Sequence, residues 1–290
     1  MTLSQPNNKC MKQLSTLFLL FVLWNPFLPF CYAQDISDLR PQPGACLLES
    51  GKAIGIRSNE RFAMHSVMKF PQALYVAHYL KEHSLSLHDS LLVRREHLLQ
   101  ETWSPMLKMF DRERWFSYAE LLRLSLQHSD NNACDLLFSE VGSPREVESY
   151  LHQLGFTDIH IRWTEREMAA LPARSADNCC TPLAMARLFE WLYARKEGEE
   201  YLWFIWDMMA ACQTGAERLP AIVPPGALIV HKTGTGFPHS DGTQDRNDAG
   251  LVLLPDGHHF SIAVFAPRSG SEAQIAQTAV ALRSGCPKVE

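Results

Sequence analysis

The sequence has no excess of positive charge. It carries 27 Lys and Arg against 32 Asp and Glu, which gives a formal net charge of −5 at pH 7. Binding to nucleic acid or to an anionic membrane surface depends on clustered positive charge. We therefore expect neither of these as a partner.

The sequence also lacks the patterns of several other protein classes. It has no internal repeat and no low-complexity linker, and its 46% hydrophobic content excludes a disordered chain. Neither the 8 cysteines nor the 12 histidines show the spacing of a zinc site. We accordingly predict no metal ion and no cofactor.

Long apolar runs are missing as well, since Leu17–Leu23 is too short for a typical membrane span. Lys9 and Lys12 precede this run, Asn25-Pro26 follows it, and Ala33 is a small residue suited to cleavage. The order is typical of a signal peptide over residues 1–33 and predicts a periplasmic or secreted protein. The alternative is a retained membrane anchor.

Six cysteines remain after that cleavage, and an oxidising compartment would allow some of them to pair. The spacing alone does not choose among the possible connectivities. They are Cys46, Cys134, Cys179, Cys180, Cys212 and Cys286.

Periodicity predicts strands at both ends of the chain and helices between them. Such an order favours an α/β protein, with an antiparallel sheet built from both termini and a helical insert. The predicted strands are Cys46–Glu49, Ala53–Arg57, Ala227–His231, Ala249–Leu254 and Phe260–Phe265. The predicted helices are Ser66–Glu82, Tyr118–Gln127, Ala133–Val141, Pro182–Ala194, Leu202–Ala211 and Glu272–Leu282.

The first chemical motif is Ser66-Val-Met-Lys69, at the start of a predicted helix. Residues three apart share a helix face, so the hydroxyl and the amine should meet. A serine becomes a good nucleophile when a nearby base takes its proton. The alternative is a surface Ser and Lys on an ordinary helix.

A second motif, Ser129-Asp130-Asn131, lies in a predicted turn between two helices. Ser129 is placed to pass a proton to a leaving amine, Asp130 to cap the loop, and Asn131 to bind a substrate amide. A plain helix connection would use the same residue types.

The third motif, Lys232-Thr233-Gly234, follows the predicted strand that ends at His231. A lysine and a hydroxyl at a strand end can hold a carboxylate, and glycine lets a backbone approach closely. The N–H groups of Ser66 and Thr235 would then bind an oxyanion. The alternative is a polar strand terminus.

Together and in this order, the three motifs make the chain resemble a class A serine β-lactamase. The resemblance is strongest to the extended-spectrum branch and covers about Gly51 to Ala266. It implies an α/β sandwich domain over residues 34–65 and 212–290, with an all-helical domain over residues 66–211. It also implies acylation of Ser66 by a β-lactam and hydrolysis by water activated at Glu165.

By the same resemblance, Trp103 matches an aromatic residue at the rim of the site, and Arg218 matches a carboxylate-binding arginine. Two residues depart from the pattern. Ala169 stands where most members have an asparagine that helps hold the hydrolytic water, and Asn178 stands where an aspartate is common. Slow deacylation is therefore one expectation.

The sequence predicts hydrolysis of penicillins and cephalosporins by a monomer, with a small-molecule β-lactam as its partner. Cephalosporin activity is expected from Thr235, Gly236 and Phe237, which lie where substrate range is often set. Two alternatives stay open: a cell-wall D,D-peptidase or penicillin-binding protein, and a sensor domain that binds β-lactams without turnover.

Overall fold

A computed structural model of the chain describes residues 41–284, and the predicted signal peptide lies outside them. The strands are β1 Gly44–Glu49, β2 Lys52–Ile56, β3 Phe62–Ala63, β4 Ser90–Arg94, β5 Glu113–Ser117, β6 Ile159–His160, β7 Cys179–Cys180, β8 Leu228–Pro238, β9 Gln244–Leu253 and β10 His259–Ser269. The helices are α1 Lys69–Glu82, α2 Tyr118–Gln127, α3 Asn131–Glu140, α4 Pro144–Gln153, α5 Glu165–Ala170, α6 Pro182–Arg195, α7 Glu200–Ala210 and α8 Ala273–Arg283. No helix in this range is long and apolar enough to cross a membrane.

The main sheet has five antiparallel strands in the order β2-β1-β10-β9-β8. Strands from the two ends of the chain are therefore neighbours, which confirms the predicted fold class. β8 lies at one edge of the sheet, so its outer side is free to face a ligand.

Helices cover both faces of the sheet. Alternate residues of β10 point to opposite faces, so this one strand contributes to the core on each side. Ala263 and Phe265 join the core that contains α1 and α6. Ile262 and Val264 join a second core with Ile275 of α8. Double coverage explains why the buried part of β10 is continuously apolar instead of alternating.

The predicted helix Ser66–Glu82 begins differently in the structure. His65–Met68 form a short 3₁₀ helix, and α1 starts only at Lys69. A 3₁₀ turn places side chains three apart directly above one another. The change of helix type therefore aligns Ser66 with Lys69 more closely than a regular α-helix would.

The predicted strand end at His231 was wrong, because β8 continues to Pro238. Lys232, Thr233 and Thr235 are all paired with residues of β9. The third motif thus lies inside an edge strand, where backbone pairing fixes each side chain in direction.

Close approach explains Gly234, although its neighbour is the protein and not a substrate. A Cβ added there would lie 2.4 Å from the carbonyl oxygen of Met64 and 3.2 Å from the backbone nitrogen of Val67. Only glycine lets β8 lie this close to the 3₁₀ helix that carries Ser66.

We predict that Gly234→Ala lowers the free energy of unfolding by about 1–3 kcal/mol, the usual cost of overpacking a rigid interior. Urea-induced unfolding measures this loss. Gly270→Ala is the matched control, since a Cβ there meets no atom within 4 Å. Equal stability of the two variants would contradict the packing argument.

Candidate active site

The Ser66 hydroxyl lies next to two ionisable groups, a lysine and a carboxylate. Lys69 Nζ is 2.9 Å from Ser66 Oγ. Glu165 Oε1 is 3.4 Å from the same oxygen. The structure therefore brings together three of the predicted catalytic side chains around one hydroxyl.

Lys69 is fully buried and has four oxygen partners. Besides Ser66, its ammonium lies 2.8 Å from Glu165 Oε1. It also donates to Ser129 O at 3.0 Å and to Asn131 Oδ1 at 2.6 Å. A buried cation needs such pairing. Lys69 therefore holds in place each segment that supplies one of these oxygen atoms.

Glu165 is the first residue of α5, which Thr164 caps through the Glu167 backbone N–H. Asp135 of α3 holds this end of the helix, with one carboxylate oxygen 2.7 Å from Glu165 N and the other 2.8 Å from Arg166 N. Burial and the neighbouring Glu165 raise the pKa of Asp135 to about 7. Asp135 was not among the predicted site residues.

The spacing of Asp135 carried a signal that sequence reasoning missed. It follows Asn131 by four residues, which places both on one face of α3. On that face, Asn131 accepts a hydrogen bond from Lys69, and Asp135 accepts one from the backbone N–H of Glu165. One helix therefore positions both charged partners of the serine.

Ser129 contacts the second buried lysine, since Lys232 Nζ donates to Ser129 Oγ at 2.9 Å. Burial lowers the pKa of Lys232 to about 7, and the nearby Lys69 charge adds to this effect. Lys232 is fully buried. A lysine with this pKa can exchange a proton with Ser129 near neutral pH.

The turn at Ser129 has an uncommon backbone conformation, with a φ of 57°. Asp130 then caps α3 through Ala133 N, as predicted, and also accepts from Met106 N. Because Asp130 is fully buried and ties two segments together, it holds Ser129 in the left-handed region.

Arg218 is buried and is therefore not an ordinary surface charge. Its guanidinium donates to Thr235 Oγ1 at 2.7 Å and to Gly234 O at 2.9 Å. Glu272 Oε1 lies 2.9 Å away and partly offsets the charge. The positive group thus sits beside β8, where a substrate carboxylate would have to compete with Glu272.

A cavity of about 690 Å³ joins these groups. The lining residues include Ser66, Ser129, Glu165, Thr233 and Thr235. Trp103 and Asn131 also line it, as does Arg218. Trp103 is 63% exposed, and its indole donates to His128 O at 2.8 Å, so its ring stands at the rim.

The two departures from the family pattern lie in the segment that carries Glu165. Ala169 lines the cavity. Asn178 is fully buried and closes the segment, since its Oδ1 accepts from Arg162 N and Trp163 N at 2.8 and 3.0 Å. An amide therefore makes the closure for which an aspartate is common.

Behind β8 lies a polar group that sequence reasoning did not single out. His231 Nδ1 is 2.9 Å from Asp248 Oδ1. Burial would lower the pKa of His231, but the Asp248 carboxylate outweighs it and raises the value to about 10. The pKa of Cys212 is also shifted against the effect of burial. Burial alone would raise it, but the hydrogen bond from His231 and the positive charges of His231 and Lys232 lower it to about 7.

We predict that Cys212 reacts with iodoacetamide with a midpoint near pH 7, because the thiolate is the reactive form. Cys179 is the internal control, since it is also partly exposed but burial raises its pKa. Peptide mapping after timed alkylation measures both rates. Equal reactivity of the two cysteines at pH 7 would contradict the prediction.

Comparison with solved structures finds the same fold over most of this chain. A β-lactamase from Chitinophaga pinensis superposes with a TM-score of 0.81 at 30% identity, over 86% of this chain and 96% of that one. The TLA-3 extended-spectrum β-lactamase gives a TM-score of 0.81 at 28% identity, over 87% and 94%.

Sequence comparison identifies the class. The profile of the Beta-lactamase enzyme family matches residues 37–283. The extended-spectrum β-lactamase PER-1 of Pseudomonas aeruginosa is 34% identical over 76% of this chain and 75% of its own length. A β-lactamase of Bacteroides uniformis is 33% identical over 80% and 84%.

The chain therefore belongs to the β-lactamase enzyme family. The predicted resemblance to class A enzymes of the extended-spectrum branch is confirmed by these relatives.

Proposed function

We propose that this protein hydrolyses β-lactam antibiotics through an acyl-enzyme on Ser66. The observation that carries the proposal is the serine hydroxyl placed between Lys69 Nζ at 2.9 Å and Glu165 Oε1 at 3.4 Å. Two basic groups around one nucleophile suit a reaction in which acylation and hydrolysis each need a proton acceptor.

In acylation, Ser66 Oγ attacks the lactam carbonyl while its proton passes to Glu165, directly or through Lys69, which lies 2.8 Å from Glu165 and gives up one proton as it takes another. The backbone N–H groups of Ser66 and Thr235 bind the oxyanion. When the C–N bond breaks, Ser129 gives its proton to the leaving nitrogen and is reprotonated from Lys232, which lies 2.9 Å away. The proton taken from Ser66 then passes by way of Lys69 to Lys232, which restores both Lys232 and the Glu165 carboxylate.

In deacylation, Glu165 takes a proton from a water molecule, and the resulting hydroxide attacks the acyl carbonyl. The ester bond to Ser66 breaks, and Glu165 returns its proton to the serine oxygen, 3.4 Å away, directly or through Lys69. The methyl group of Ala169 offers no hydrogen bond to that water. Glu165 therefore positions the water with less help than an asparagine would give.

Other residues bind the substrate in this proposal. Asn131 and Trp103 contact the acylamide side chain and the rim of the ligand. Arg218 and Thr235 hold the substrate carboxylate, together with Lys232 and Thr233. Thr235, Gly236 and Phe237 border the same cavity, which supports activity toward cephalosporins.

The position of Glu165 distinguishes this proposal from its alternatives. A D,D-peptidase shares the serine and the lysine but has no use for a carboxylate 2.8 Å from that lysine. A sensor that acylates without turnover would likewise not need Glu165 against Ser66. We also propose export by cleavage after Ala33, a periplasmic or secreted location, a monomer, and the two-domain division predicted above.

We predict that Glu165→Gln traps the acyl-enzyme, because the amide cannot accept a proton from water. Loss of a general base should slow deacylation about 10²–10⁴-fold. Intact-protein mass spectrometry with a penicillin and with a cephalosporin follows the adduct on Ser66 over time. In the unmodified protein the adduct should be transient and product should accumulate.

Glu167→Gln is the matched control, since Glu167 caps the same helix but is not among the residues that line the cavity with Ser66. A peptidase would show no effect of Glu165→Gln. A sensor would keep its adduct in the unmodified protein, and absence of any adduct would refute the serine mechanism.

We further predict that Asp135→Asn slows deacylation about tenfold. Each carboxylate oxygen of Asp135 accepts one backbone N–H, and an amide would turn its NH₂ toward one of these donors. An unpaired buried donor costs about 1–3 kcal/mol. Pre-steady-state kinetics measures the deacylation step directly, and a deacylation rate equal to that of the unmodified protein would contradict a role of Asp135 in positioning Glu165.

A further inference from the structure

Away from the cavity, three potential metal ligands meet on the outer side of the helical part. Glu148 Oε1 lies 3.6 Å from His160 Nδ1 and 3.9 Å from His152 Nε2. The ligand atoms of the three residues all lie within 4.8 Å of one another. None of the three contacts a residue to which a catalytic role was given above.

Regular secondary structure holds these side chains in place. Glu148 and His152 are one turn apart on α4, which puts them on the same face. His160 comes from β6, whose pairing with β7 fixes its direction. Glu148 Oε2 also accepts from Ile161 N at 2.9 Å, which joins α4 to the end of this strand.

The ring of His160 is the unusual member. Its side chain is only 15% exposed, and its Nε2 is buried without a hydrogen-bond partner within the described residues. Its Nδ1 faces Glu148 at 3.6 Å, which is too long for a hydrogen bond. Nδ1 is therefore the nitrogen that is placed to bind a metal ion next to Glu148, while Nε2 points away from Glu148.

We propose that Glu148, His152 and His160 form a zinc-binding site. Two imidazoles and one carboxylate are a common zinc ligand set, with water or another group as the fourth ligand. Bonds of about 2.0–2.1 Å in a tetrahedron put ligand atoms about 3.3 Å apart. The two distances to Glu148, 3.6 and 3.9 Å, are slightly longer than this, and the two histidine nitrogens, at most 4.8 Å apart, would have to move closer by rotation of their side chains. The sequence prediction of no metal ion is revised accordingly.

Two present contacts would have to change on zinc binding. Arg162 Nη2 lies 2.9 Å from Glu148 Oε1 and stands where the cation would pair. Its side chain is 44% exposed and can turn into solvent. His152 Nε2 lies 3.1 Å from Ile159 O, and its proton would move to Nδ1 as the lone pair turns to the metal.

The location links the proposed zinc site to the segment that carries Glu165. Ile161 N bonds Glu148, and Arg162 N and Trp163 N bond Asn178. Zinc bound to Glu148 would therefore restrict the motion of Ile161 and of the residues that follow it. The sequence does not predict this site, because Glu148 and His152 lie on α4 whereas His160 lies on β6, beyond the turn that ends α4.

Isothermal titration calorimetry with ZnCl₂ tests the proposal on EDTA-treated protein without a histidine tag. We expect one equivalent to bind, and both His152→Gln and His160→Gln to weaken binding at least tenfold. Arg162→Ala should bind zinc more tightly, because it removes the competing cation. A purely structural role for these residues would not produce that gain.

His258→Gln is the matched control, since His258 Nδ1 lies 3.1 Å from Asp256 on an exposed turn, away from the three proposed ligands in the chain. It should bind zinc as the unmodified protein does. Thermal unfolding without zinc establishes that each variant is folded, and zinc should raise the midpoint only where the three ligands are intact. Absence of binding, or binding unaffected by His160→Gln and Arg162→Ala, would overturn the proposal.

Discussion

The buried ammonium of Lys69 is the interaction on which the rest of the site depends. A charge without solvent costs several kcal/mol unless it is paired. Its partners come from three places: the 3₁₀ helix with Ser66, the turn at Ser129 and α3, and the segment with Glu165. Satisfying one cation thus assembles three separate pieces of chain around the serine hydroxyl.

The main sheet also holds the 3₁₀ helix with Ser66 in place, through hydrogen bonds from β9. Asn247 of β9 donates to Ala63 O and Met64 O, which ties the strand to the approach of the 3₁₀ helix. Asp248 beside it holds His231 and also accepts from Leu219 N. Polar residues inside a buried strand therefore connect the two cores, while the cavity stays on the edge strand.

The sequence predicted the motifs and the sheet because each depends on local pattern or on strand order. Ser66, Lys69 and Ser129 were predicted from residue type and spacing, and Glu165 from the resemblance to class A β-lactamases; the structure brings the four together. The 3₁₀ start of α1 was not predictable, since a left-handed His65 and close packing by Gly234 impose it. The full length of β8 depends on pairing with β9, which no single strand reveals.

The left-handed turn at Ser129 has an evolutionary consequence. Asparagine and glycine adopt that backbone conformation at lower cost than serine, so either would stabilise the turn, yet neither can relay a proton. The protein keeps the less stable residue because Asp130 and the surrounding hydrogen bonds hold it there. Selection for thermal stability alone would favour asparagine or glycine at this position, so here stability and the proposed turnover are opposing pressures.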